Sequence, residues 1–116
     1  MSLFDFLLET RPYAERLVDN FKDGSGLVID TTAVNDAKYP FETAVKHPRY
    51  NNGEWIIVQG YPTKNEAQLG HNKWIKKMTN PKLPKKLTDC AHDNIGHFIN
   101  ELGGESMQIH PLIEDN

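Results

Sequence analysis

A single cysteine, Cys90, rules out an intrachain disulfide framework, and a reducing compartment suits the chain at least as well as an oxidising one. No apolar run is long enough to span a bilayer. The opening residues carry Asp5 and Glu9 where a signal peptide carries base, and no small-residue cleavage site follows them. An intracellular protein, or one assembled from an intracellular pool, is therefore expected. Neither sign of charge dominates, and a net formal charge of -3 on 116 residues argues against a general nucleic-acid binder. Paired Cys-x-x-Cys and His-Glu-x-x-His signatures are missing, as are an N-glycosylation sequon and any internal repeat. A chain of this length makes one domain with a modest core.

What is present centres on residues 41–78, which read as strand, turn, strand, helix. Phe41, Thr43 and Val45 belong to one β-rich run, and Trp55, Ile56, Ile57, Val58 and Tyr61 to another. Between them Asn51-Asn52-Gly53 can supply the positive φ angles of a hairpin turn. Pro62 stops the second strand, and Thr63-Lys64-Asn65-Glu66 has the spacing of a capping box. Beyond it Ala67, His71, Trp74, Ile75 and Met78 share one helical face, with Lys73, Lys76 and Lys77 on the other.

The flanks follow by the same rules. Residues 1–23 read as helical, with a break before Pro12 and then Tyr13, Leu17, Val18 and Phe21 at helical spacing. Asp23-Gly24-Ser25-Gly26 ends that helix, and a strand follows over residues 27–34. The two prolines of residues 79–86 make a Lys-rich extended connector. Leu87, Ala91, Ile95, Phe98, Ile99 and Leu102 repeat as a helix over 87–103, which Gly103-Gly104 closes. Residues 105–116 form an acidic tail. The expected fold is α+β, one domain over residues 1–104, with about three antiparallel strands packed by amphipathic helices on one face.

Candidate chemistry is sparse. Residues 60–90 hold seven lysines against Glu66 and Asp89, whereas no Lys or Arg follows Cys90. Lys73, Lys76, Lys77, Lys82, Lys85 and Lys86 can form a basic patch for nucleic acid or an acidic partner. The patch lacks arginine and has little aromatic interleaving, so a solvated face met by the acidic tail, or a protein contact, is the favoured reading. On a helix Cys90, Asp93 and His97 share a stripe that can offer ligands to zinc, but no further ligands are placed by a motif. A Cys-His nucleophile pair lacks its oxyanion context. His71 beside Gly70 reads as a core histidine bonded to a backbone carbonyl, with Gly70 letting the helix approach the sheet, because no Asp or Glu partner is placed by the sequence. Trp55 and Trp74 read as core. Gly24-Ser25-Gly26 follows a helix, not a strand, and is no phosphate loop. No catalytic residue, metal or cofactor is expected.

The run Phe41-Glu42-Thr43-Ala44-Val45, then Tyr61-Pro62-Thr63-Lys64-Asn65-Glu66-Ala67-Gln68-Leu69-Gly70-His71 and Trp74, resembles small uncharacterised proteins of tailed bacteriophages. These carry an E-T-x-V strand and a Y-x-T-x-x-E-A-x-x-G-H run opening a helix. The likeness covers about a third of the chain and stops short of the N-terminal segment and of everything after Pro81. It implies a phage setting, in the virion or the host cytoplasm, and no particular activity. The expected function is a non-catalytic virion or virion-assembly protein working through protein–protein contacts, with other phage structural subunits or further copies of itself as partners. The alternative is a small accessory or counter-defence protein that binds a host protein, a nucleotide or nucleic acid through the Lys-rich segment. Expected contact residues are Leu3, Phe4, Phe6, Leu7 and Leu8 at one end, Lys82, Lys85 and Lys86 in the connector, and Met107, Ile109, Leu112 and Ile113 at the other end.

Overall fold

The computed structural model describes residues 12–90 and 108–114. After one helical turn, α1 (Tyr13–Arg16), the chain runs through β1 (Leu17–Lys22), β2 (Val28–Ala33), β3 (Phe41–Lys46) and β4 (Ile56–Tyr61). These four strands form an antiparallel meander in the order β1-β2-β3-β4. Helix α2 (Lys64–Thr79) lies across one face, and β5 (Lys86–Asp89) pairs with β6 (Gln108–Pro111) in a second, two-stranded sheet. The architecture is α+β.

Local signals account for the middle of the chain. Asn51, Asn52 and Gly53 all take positive φ, at 51°, 54° and 79°, which turns β3 back into β4. Thr63 Oγ1 accepts the Glu66 backbone N–H at 3.1 Å and starts α2. Asn80 is extended at the other end, and its Oδ1 accepts the Lys82 N–H at 2.8 Å, so Pro81 follows a helix already closed.

The register places two rows side by side on the face that α2 covers. Phe21, Ile29, Val45 and Ile56 are partners across all four strands and make an apolar row. Asp19, Thr31, Thr43 and Gln59 are partners one step along and make a polar row. Leu27, Tyr50, Val58, Met78 and Leu87 complete the buried core, with Trp74, Ile75, Leu83 and Leu112 packed against it. The second sheet is tied to the first where the Cys90 N–H meets the Ile57 carbonyl at 2.7 Å.

Three expectations are corrected. Over residues 13–23 only Tyr13–Arg16 is helical, and Leu17–Lys22 is a strand. Leu17 and Phe21 fit either period, and the pairing Phe21↔Ile29 decides the matter by putting Phe21 under α2. Asp23–Gly26 is accordingly a hairpin turn, with Gly24 and Gly26 at φ 84° and 105° and Asp23 Oδ1 accepting from Ser25. The helix expected from Leu87 is a strand over its first residues, because Leu87 pairs with His110. The remainder of that helix lies outside the described residues. The main sheet has four strands, not about three.

The tail is also more than an acidic appendage, since residues 108–111 are β6.

Candidate functional site

Two constellations stand out, one sealed and one open. The sealed one lies between α2 and the polar row. His71, with no solvent exposure, sets Nδ1 2.7 Å from Thr31 Oγ1, and Thr31 Oγ1 is 2.7 Å from Thr43 Oγ1. Thr43 Oγ1 in turn meets the Tyr61 hydroxyl at 3.0 Å, and that hydroxyl lies 3.4 Å from Gln59 Oε1, which accepts the Trp74 indole N–H at 2.9 Å. At the other end His71 Nε2 faces Asp19 Oδ2 at 3.7 Å, beyond a hydrogen bond.

Each hydroxyl has one proton, so donation runs in one sense through the hydroxyl chain. The Asp19 carboxylate favours the tautomer whose Nε2–H points at it. Nδ1 then accepts from Thr31, Thr31 from Thr43 and Thr43 from Tyr61, so the one Tyr61 proton goes to Thr43 and none is left for Gln59 Oε1. Gln68 Nε2 donates to Asp19 Oδ2 at 2.9 Å, and this bond is the main reason the carboxyl sits below its ordinary pKa of 3.8. Gly70 makes the approach possible: a Cβ there would lie 2.2 Å from the Tyr61 ring. The expected role of Gly70 holds, while the histidine's partner is a threonine hydroxyl and not a backbone carbonyl. Asp19, on a strand read as helix from the sequence, is the acidic neighbour that sequence reasoning missed.

Burial lowers the His71 pKa below the ordinary 6.5, with Asp19 and then Asp30 pulling the other way. A depressed histidine is neutral in both states above pH 6.5, and below it the unfolded chain takes up the proton first. His71 therefore favours unfolding as the pH falls from 6.5 towards the folded pKa. An NMR titration of the imidazole should give a midpoint below 6.5; a midpoint above it would mean the Asp19 ion pair outweighs burial.

The open constellation is a groove of about 570 Å³ between the end of α2, the connector and β5. Its apolar lining is Val58, Trp74, Leu83 and Leu87. Its charged lining is Lys77, Lys82, Lys85 and Lys86, with no Asp or Glu among the described lining residues. The walls are fixed in several places. The Tyr50 hydroxyl, on a side chain with no exposure, donates to the Pro84 carbonyl at 2.5 Å, and the Leu112 N–H donates to the Lys85 carbonyl at 2.8 Å. Trp74 is held by its indole bond to Gln59, and Lys77 Nζ sits 4.6 Å from its ring centroid.

The remaining candidates fall as follows. Lys82, Lys85 and Lys86 are exposed and share the groove, whereas Lys73 and Lys76 do not line it. Leu112 packs into the core, while Ile109 and Ile113 are exposed. Among the described residues the tail's one acid, Glu114, pairs with Arg49 at 3.4 Å and not with the lysines; the Arg49 Nε–H also donates to the Ile113 carbonyl, and the Ile113 N–H to the Arg49 carbonyl. Trp55 is exposed beneath Lys46, contrary to the core expectation. Cys90 directly follows β5, which ends at Asp89. Asp93, His97, Leu3, Phe4, Phe6, Leu7, Leu8 and Met107 lie outside the described residues. No helix among the described residues is long and apolar enough to cross a membrane. No protein-family model, curated protein or solved structure matches the chain.

Proposed function

We propose that this chain is a non-catalytic protein-interaction module, a subunit of a phage particle or of its assembly, whose lysine-rimmed groove is the contact surface. The groove carries the reading. Apolar area at its floor supplies affinity, the charged rim supplies orientation and encounter rate, and fixed walls reduce what ordering costs on binding. The phage setting rests on the resemblance of residues 41–45 and 61–74.

The same lysines favour a second reading, an accessory protein that takes a host protein through this segment. The two differ in where the chain is found. Quantitative mass spectrometry of purified particles should detect it in stoichiometric copies; a chain abundant in infected cells yet missing from particles would favour the accessory role.

A further inference from the structure

We infer that the groove's occupant is a short acidic segment of a partner protein, with one apolar side chain seated between Trp74 and Leu83; this rests on the protein-contact reading above. The charge argument is local. A molecule of net charge -3 gathers Lys77, Lys82, Lys85 and Lys86 around one depression whose described lining residues include no carboxylate. Glu114, the one acid among the described residues of the tail, does not neutralise them, since it is engaged by Arg49.

The kind of anion follows from what holds it. Lysines are compact charges on flexible stems and can follow carboxylates spread along a peptide, while the two-pronged arginine donors that would fix a single phosphate are absent among the groove's described residues. The groove borders the last turn of α2, including Lys77 and Asn80, and not its first turn, whose N–H groups could cradle a phosphate. A nucleic-acid base finds little platform either. Among the described residues Trp74 is the groove's one aromatic ring, and its indole is already tied to Gln59 and approached by Lys77. What the floor does offer is aliphatic surface from the half-buried Leu83 beside the indole, backed by the buried Val58 and Leu87, which fits an apolar anchor flanked by acids.

The test uses the full chain and a short synthetic peptide in which acidic residues flank one leucine. Calorimetry should show saturable binding that weakens with salt, and amide and indole NMR shifts should map it to Trp74 and residues 82–88. Lys82→Gln, Lys85→Gln and Lys86→Gln together should weaken it roughly tenfold, three rim charges each contributing a fraction of a kcal/mol. Lys22→Gln, Lys38→Gln and Lys64→Gln, which change net charge equally away from the groove, should leave it unchanged. Replacing the peptide's leucine by glycine should also weaken it. Equal loss in both triple variants, no binding, or equal competition by oligothymidylate would overturn the inference. If the chain joins particles while the peptide fails, the occupant is wrong and the module reading stands. If the peptide binds in the groove and the chain joins no assembly, the reverse holds.

Discussion

Gly70→Ala is expected to destabilise the protein by about 3 kcal/mol, although alanine in a helix ordinarily stabilises by up to about 1 kcal/mol over glycine. The steric term decides the sign. The new methyl would lie 2.2 Å from the Tyr61 ring and hydroxyl, far inside van der Waals contact. Tyr61 is buried and its hydroxyl is bonded to Thr43, so it can yield only by breaking the polar chain or by pushing α2 off the sheet. In a domain of this size that loss corresponds to a melting temperature lower by more than about 10 °C. A variant that melts at or above the wild-type temperature would show that helix and sheet do not approach this closely.

Trp74→Ala is the second large effect, at about 3 kcal/mol, the lower part of the range for aromatic truncation because the ring is only half-buried. The substitution removes packing against the core and leaves Gln59 Oε1 without its indole donor. Trp74→Phe keeps much of the packing and loses the bond, so its cost should be nearer 1 kcal/mol. Chemical denaturation of the two variants separates the contributions. A near-wild-type midpoint for Trp74→Ala would mean that this ring is not part of what seats α2.

The polar row is the less usual feature of the interface. An apolar row alone would let α2 slide along the sheet at little cost. Pairing His71 with Thr31 and Trp74 with Gln59 adds positions at which a shifted helix leaves buried polar atoms unsatisfied. The row thus specifies where the helix sits more than it raises stability.

Much of this was readable in the chain where the signals are local. Asn51-Asn52-Gly53 and Thr63 act within a few residues, and the hairpin and α2 fall where they place them. Gly70 was readable as a close-approach residue beside His71, though not against which ring. Where partners are distant in sequence, the reading failed. Leu17, Val18 and Phe21 satisfy a helical period until β2 is available to pair with, and Leu87 does so until residues 108–111 return beside it. The polar row is invisible for the same reason: Asp19, Thr31, Thr43 and Gln59 become neighbours only through the register. The Lys-rich connector was legible as a charged segment. Its groove was not, because the floor comes from Val58 and Trp74 and the wall is pinned by Tyr50 and Leu112.

The central claim is that the connector face meets a partner protein, and site-specific photo-cross-linking tests it most directly. A benzophenone amino acid placed at position 82, at the groove's rim, should cross-link to a defined protein in infected cells and particles, next to an acidic stretch. The same probe at position 64, an exposed site away from the groove, should give no such product. Cross-links from position 82 to nucleic acid, or a pattern no different from that at position 64, would contradict the account.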